Sequence, residues 1–266
     1  MTIPIRKVNT GEFTMNYFTF GEGEKTFVIL PGLSVQSVMP SAEIIAKAYD
    51  IIAKEFTVYV FDRRNELPQS YSVYDMADDT AEVFITLGLK DVYLFGASQG
   101  GMIAMTIAAK HPELVKKLML GSSSARITDG QYKSISKWLD LAEKKERVHL
   151  NLEMGRVLYP EAMFEKFKDT LASLGESITD SDLERFITLA EGTKDFDISE
   201  KLNEITCPVL SLGAADDNVL PYAAEELESL FSGKENFESH LYNGYGHAAF
   251  DTAPDYKERL LRFMLK

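Results

Sequence analysis

Cysteine and long apolar runs are scarce in this chain of 266 residues. Its one cysteine, Cys207, excludes an intramolecular disulfide and is typical of a reducing compartment. No stretch approaches the roughly 20 apolar residues of a membrane span. The first residues lack the apolar stretch of a signal peptide. We therefore expect a cytoplasmic protein without a membrane span.

Basic residues are also fewer than acidic residues. The chain has 28 basic and 41 acidic residues, which gives a net charge of -13. Such an excess of negative charge disfavours nucleic acid and anionic membranes as partners, and it makes a polyanionic substrate less suitable. We expect a small-molecule substrate as the partner, and the sequence leaves the oligomeric state open.

Motifs for metals and cofactors are missing as well. No cluster of cysteine, histidine and carboxylate residues has the spacing of metal ligands. No dinucleotide-binding fingerprint is present either. We expect neither a metal nor another cofactor.

Short apolar runs alternate along the chain with stretches of helical periodicity. Runs this short and this apolar are typical of strands that are buried on both faces, as in a parallel sheet. The alternation of the two patterns predicts an α/β fold. The runs cover residues 27–30, 57–61, 92–95, 118–120 and 209–212.

The region between Gly121 and Cys207 breaks this rhythm, because it has helical patterns and no convincing strand. A capping-box pattern from Ser181 to Glu184 predicts one helix start there. A parallel sheet needs only a short crossover, so this region is longer than the fold requires. We predict a helical cap, or lid, at residues 125–203, inserted into a core formed by residues 1–124 and 204–266.

A G-x-S-x-G motif spans Gly96 to Gly100, with Ser98 at its centre. An apolar strand pattern precedes the motif directly, and a helical pattern follows it. This context is that of a nucleophile elbow, a strained turn that exposes the serine hydroxyl. The competing interpretation is a phosphate-binding helix start, but the basic residue of a phosphate loop is missing. Ser98 is therefore the candidate nucleophile.

A serine hydroxyl needs a base, and the base needs an orienting acid. Of the four histidines, His247 directly follows Gly244 and Gly246, in a loop after a further predicted strand at residues 240–242. Reacting groups of open α/β sheets lie in such loops, so His247 is the candidate base. The loop after strand 209–212 contains two adjacent aspartates, Asp216 and Asp217, as candidate acids. The order serine, aspartate, histidine is the order of α/β-hydrolases.

The chain resembles the α/β-hydrolase superfamily over nearly its whole length. The resemblance rests on residues 30–33 (LPGL), 96–101 (GASQGG), 111–113 (HPE), 207–210 (CPVL), the aspartate loop and 246–247 (GH). It implies an eight-stranded, mostly parallel sheet with a helical cap. It also implies an oxyanion hole formed by the backbone N–H groups of Leu33 and Gln99.

The resemblance leaves the choice of acid open. Counting from the glycine at the end of the strand selects Asp216, whereas counting back from the following proline selects Asp217. We favour Asp217 and keep Asp216 as the alternative. The segment Asp62 to Arg64, where the family has a different motif, is interpreted as solvated or as bracing a loop rather than as catalytic.

These residues predict a serine hydrolase that cleaves an ester-like acyl bond through an acyl-enzyme. The expected substrate is small or medium in size and apolar, and thioesterase, peptidase and carbon–carbon bond hydrolase activities stay open. The alternative is a ligand-binding receptor or interaction protein on the same fold with little turnover. Four aromatic residues of the predicted cap are candidates for the pocket wall: Trp138, Phe164, Phe167 and Phe186.

Overall fold

An eight-stranded sheet forms the centre of the molecule in the computed structural model, which describes residues 2–266. The strands stand in the order β1-β2-β4-β3-β5-β6-β7-β8. They are β1 (Arg6–Asn9), β2 (Thr14–Phe20), β3 (Lys25–Leu30), β4 (Phe56–Arg64), β5 (Val92–Ala97), β6 (Val115–Gly121), β7 (Val209–Ala214) and β8 (Phe237–Tyr242).

The sheet is mostly parallel. Strand β2 is antiparallel to both of its neighbours, β1 and β4, and all the other pairs are parallel. The predicted α/β-hydrolase fold is thereby confirmed. Strands β1 and β2 were not among the predicted runs. Their exposed and buried positions are mixed, so they form no continuous apolar run.

Helices cover both faces of the sheet. Before β6 these are α1 (Ala42–Ala48), α2 (Asp50–Ala53), α3 (Val73–Thr86) and α4 (Gln99–Lys110). After β7 they are α9 (Ala223–Leu230), α10 (Ala249–Thr252) and α11 (Tyr256–Leu265). Short 3-10 turns lie at Met39–Ser41 and Ser199–Glu204.

Two apolar clusters, one on each side of the sheet, form the core. Phe84 of α3 and Ile103 of α4 belong to the first cluster, and Ile52 of α2 and Leu260 of α11 belong to the second. Every residue of β5 and of β7 is buried. Burial on both faces requires apolar residues at successive positions, and this is why the central strands are recognisable as short apolar runs.

The segment between β6 and β7 is helical, with α5 (Asp129–Glu143), α6 (Arg147–Leu158), α7 (Glu161–Glu176) and α8 (Asp180–Glu191). The predicted helix start at Ser181 is wrong. Helix α8 begins at Asp180, and Thr179 accepts a hydrogen bond from the backbone N–H of Asp182 at 3.1 Å. Thr179 and Asp182 form the same reciprocal capping pattern two residues earlier than predicted. The division of the chain into core and cap stays a prediction.

The helices of residues 2–266 include none with the length and apolar character to cross a membrane. Within the same residues, no three His, Cys, Asp or Glu side chains are grouped so that they could hold a metal ion.

Candidate active site

Ser98 occupies a sharp turn between β5 and α4. Its backbone has φ 51° and ψ -122°, a region that residues with a side chain rarely adopt. Two hydrogen bonds hold the turn in place. The Ser98 N–H donates to the Gly121 carbonyl at 2.7 Å, and Ser123 Oγ donates to the Ser98 carbonyl at 2.8 Å. The structure therefore places Ser98 in the strained turn that the sequence motif predicts.

The glycines on either side of Ser98 are required by close backbone contacts. A Cβ atom on Gly96 would lie 2.2 Å from the carbonyl oxygen of Gly100. One on Gly100 would lie 2.1 Å from the carbonyl oxygen of Leu30, at the end of β3. Both distances are far below van der Waals contact. The turn can therefore pass under the loop that follows β3 only with glycine at these two positions.

His247 and Asp217 form a buried pair. Nδ1 of His247 lies 2.7 Å from Oδ2 of Asp217, and the residues are 1% and 9% exposed. The other carboxylate oxygen accepts the N–H groups of Val219 and Leu220, both at 2.8 Å. Burial alone would raise the pKa of Asp217. The charge and hydrogen bond of His247, together with the two N–H donors, outweigh that effect and lower the pKa below its ordinary value. Asp217 is therefore held as the ionised partner of the imidazole.

Asp216 has different partners from its neighbour. Its two carboxylate oxygens accept the backbone N–H groups of Gly244 at 3.2 Å and of Gly246 at 3.1 Å. These glycines lie in the loop that carries His247. Asp216 thus fastens this loop to the end of β7, while Asp217 contacts the imidazole itself.

A cavity of about 340 Å³ opens at the carboxyl ends of the central strands. Ser98 and His247 both line it, whereas His111, His149 and His240 do not. Within residues 2–266, no hydrogen bond joins Ser98 Oγ to His247. Most of the wall is apolar, formed by residues such as Ile29, Leu33, Val38, Ile45, Val60, Phe95, Met154, Leu158, Val219 and Phe250.

Leu33 and Gln99, the predicted oxyanion-hole residues, both lie near Ser98. Leu33 lines the cavity, and both residues border a small adjoining pocket together with Ser98. The backbone hydrogen bonds of residues 2–266 include none from either N–H group. The role of these two N–H groups in an oxyanion hole stays a prediction.

The sequence suggested that the segment Asp62 to Arg64 is either solvated or braces a loop, and the structure contradicts solvation for Asp62 and Arg63. Asp62 and Arg63 are 7% and 4% exposed. Nη2 of Arg63 donates to the Pro31 carbonyl at 2.8 Å and to Oε1 of Gln99 at 3.1 Å. Burial lowers the pKa of Arg63 to about 10, still well above neutral pH. The part of the interpretation that assigned loop bracing agrees with these contacts.

The same network reaches the helices between β6 and β7. Nε2 of Gln99 donates to the Leu189 carbonyl at 2.8 Å and to Thr193 Oγ1 at 2.7 Å. Arg185 of α8 forms an ion pair with Asp62. The turn that carries Ser98 is thereby connected to α8 through buried polar contacts.

Only one of the four aromatic residues proposed for the pocket wall lines the cavity. Trp138 lines the cavity. Phe164 and Phe186 are buried in helix packing and do not reach the cavity, and Phe167 is 41% exposed. An aromatic residue at helical spacing indicates burial but not which neighbour covers it, so only tertiary packing separates these cases.

Sequence reasoning missed Asp251, which follows His247 by four residues and also lines the cavity. An acidic residue near the start of a C-terminal helix is usually a solvated residue, and no motif distinguished this one. Arg63 was noted in the sequence, but its contact with Gln99 was not foreseen.

The protein belongs to the α/β-hydrolase fold family, whose model matches residues 25–254. A putative carbamate hydrolase RutD of Agrobacterium fabrum is 26% identical over 226 residues, which cover 81% of this chain and 85% of that protein. The mouse serine hydrolase BPHL is 26% identical over 153 residues, covering 52% of this chain and 51% of that protein. These relatives are named hydrolases, which supports a hydrolase for this chain as well.

Among solved structures, the chain is similar to MGS-M2, an α/β-hydrolase enzyme from a Medee basin deep-sea metagenome library. The TM-score is 0.86 at 20% sequence identity, and 98% of each chain is covered. At this identity the similarity concerns the fold.

Proposed function

We propose that the protein is a serine hydrolase that cleaves an ester-like acyl bond, with Ser98 as nucleophile, His247 as base and Asp217 as orienting acid. One observation carries the proposal: Ser98 in its strained turn lines the same cavity as His247, which is paired with the buried Asp217. The chain order and the relative named serine hydrolase support the same chemistry.

The reaction begins when His247 accepts the proton of Ser98 Oγ as this oxygen attacks the substrate's carbonyl carbon. Asp217 holds the imidazole and stabilises the imidazolium. The N–H groups of Leu33 and Gln99 stabilise the oxyanion, an effect of about 3 kcal/mol for each donor. The carbon–oxygen bond then breaks, and the leaving alcohol takes the proton from His247. Water attacks the acyl-enzyme with His247 again as base, and this step releases the acid and restores Ser98.

The helices of residues 125–203 act in this proposal as a cap over the site. Trp138 of α5, with Met154 and Leu158 of α6, forms part of the cavity wall. The N–H of Ala248, next to His247, donates to the Leu158 carbonyl at 3.1 Å. The cavity volume and its apolar walls support a small or medium apolar substrate. A cytoplasmic location, expected from the sequence, belongs to the same proposal.

Hydrolysis of p-nitrophenyl esters from acetate to octanoate tests the proposal, with wild type compared with Ser98→Ala. We expect Ser98→Ala to reduce kcat by about a thousandfold or more. Ser181→Ala, an exposed serine on α8, is the matched control and should match wild type. A fluorophosphonate probe should label wild type and not Ser98→Ala. Absence of both turnover and labelling in wild type would contradict the proposal and favour a ligand-binding protein.

A further inference from the structure

Asp251 belongs to the wall of the cavity that holds Ser98, and its carboxylate is close enough to His247 to be affected by the charge of the imidazole. The residue has substantial accessible surface, and it is one of the residues that line the cavity. Protein atoms surround it on nearly all other sides. Part of its accessible surface is therefore cavity wall. This carboxylate has no acid–base role in the proposed reaction.

The Asp251 carboxylate has no partner of its own. Within residues 2–266 it makes no hydrogen bond and no ion pair. The Lys257 ammonium is close enough to affect it, but Lys257 Nζ bonds the Phe250 carbonyl and lies 5.3 Å from the centroid of the Tyr49 ring. Burial raises the pKa of Asp251 above its ordinary value, and the charges of Lys257 and His247 offset only part of that effect. A carboxylate that protein atoms largely surround is costly to ionise without a partner, and a ligand can supply that partner.

The surroundings of this carboxylate favour a cation over a neutral donor. Asp251 is the only acidic residue among those that line the cavity, and no Lys or Arg of residues 2–266 lines it. Aromatic rings of Tyr49, Phe250 and Trp138 line the same cavity. The faces of aromatic rings attract ammonium groups, which adds to the attraction of the carboxylate. Burial raises the pKa of the Tyr49 phenol, so Tyr49 stays neutral and adds no competing charge at neutral pH.

We propose that Asp251 is a specificity-determining residue that binds an ammonium group on an otherwise apolar substrate. This inference rests on the proposed function, since it assigns the substrate class of the same cavity. The apolar walls bind the carbon skeleton, Ser98 reacts with the acyl carbon, and Asp251 pairs with the amine.

Binding can be measured without catalysis because Trp138 is the chain's single tryptophan and lines the cavity. Its fluorescence is titrated at pH 7.5 with n-alkylammonium ions from butyl to octyl and with 1-alkanols of the same lengths. We expect wild type to bind the best ammonium at least tenfold more tightly than the matching alcohol. Asp251→Asn should abolish this difference. Asp169→Asn, the same change on the exposed face of α7, should retain it.

A second measurement links binding to turnover. Esters that carry a terminal amine are compared with their methyl-terminated counterparts, once with the amine on the acyl side and once on the alcohol side. Wild type should prefer the amine in one of the two series, and Asp251→Asn should lose this preference by tenfold or more in kcat/KM.

The inference is overturned by equal binding of ammonium and alcohol by wild type, by a preference that survives in Asp251→Asn, or by no fluorescence response to any ammonium. Tighter binding of the alcohol would also reject the proposed substrate class, because it would show that the cavity prefers a neutral hydroxyl group to an ammonium group. Fluorophosphonate labelling of wild type tests Ser98 separately. Labelling without ammonium selectivity rejects this inference alone, whereas selectivity without labelling or ester turnover rejects the hydrolase and retains the site.

Discussion

The guanidinium of Arg63 donates a hydrogen bond to the side-chain oxygen of Gln99 over 3.1 Å. The same nitrogen donates to the Pro31 carbonyl at 2.8 Å. Gln99 and the loop after Pro31 supply the two N–H groups of the proposed oxyanion hole. One buried cation therefore connects both halves of that hole, although Arg63 is not among the residues that line the cavity.

Removing this connection should impair turnover more than substrate binding. Arg63→Met leaves two buried oxygens without their donor, and each such loss costs about 1–3 kcal/mol of stability. We expect kcat for p-nitrophenyl esters to fall by about tenfold to a hundredfold, because the oxyanion donors lose their alignment. KM should change less than about threefold. Arg64→Met is the control, since Arg64 pairs with Asp79 away from the cavity. An unchanged kcat in a destabilised Arg63→Met protein would limit Arg63 to a structural role.

The two adjacent aspartates should differ sharply when each is changed to asparagine. Asp217→Asn removes the negative charge beside His247 and permits the wrong imidazole tautomer, so kcat should fall by about ten-thousandfold. Asp216→Asn keeps one acceptor oxygen for the His247 loop and should lower kcat by less than about tenfold. Steady-state ester hydrolysis by the two variants, side by side, measures this. The reverse ranking would make Asp216 the acid.

The backbone strain at Ser98 should be measurable as a difference in unfolding free energy between two variants of this residue. Glycine adopts positive φ angles without a steric penalty, whereas alanine retains the Cβ atom. Ser98→Gly should therefore unfold with a free energy about 1–3 kcal/mol higher than Ser98→Ala, as determined by urea denaturation. Equal stabilities of the two variants would show that the turn is unstrained in solution.

Asp251 and Asp217 should affect the pH dependence of stability with opposite signs. The raised pKa of Asp251 means that the folded protein disfavours the ionised form. Asp251→Asn should therefore be more stable than wild type at pH 7, and this gain should shrink as the pH falls toward about 4, near the unfolded pKa. Tyr49, Tyr159 and Tyr256 also lie close enough to Asp251 to interact with it, and they are neutral in this range because burial raises the pKa of all three.

Asp217 provides the contrast, because its pKa is lowered in the folded protein. Its ionised form stabilises the fold above the unfolded pKa of about 3.9, and this contribution is lost as the pH falls further. Asp217→Asn should thus be less stable than wild type at pH 7. Urea denaturation at pH 7, 5.5 and 4 compares the three proteins. A destabilised Asp251→Asn at pH 7 would show that this carboxylate has a partner in solution.

The sequence by itself determined the α/β alternation and the class of fold. Each buried strand must be apolar at successive positions, and each helix has a 3.6-residue periodicity. Both patterns can therefore be recognised in short stretches of sequence. The motif at Ser98 is readable in the sequence as well, although only Gly96 is needed for a contact within the motif, whereas Gly100 is needed for the close approach of Leu30 from β3. The half-exposed strands β1 and β2 lack such a pattern and were missed.

Only the tertiary structure decided where individual side chains point. Asp216 and Asp217 are neighbours in the chain, and their different partners depend on the loop around His247, about 30 residues further along. Arg63 meets Gln99 across 36 residues of chain. Asp251 has the sequence context of a solvated helix residue, yet it lines the cavity. These contacts form between elements that are distant in the chain, and local sequence carries no record of which side chains such packing brings together.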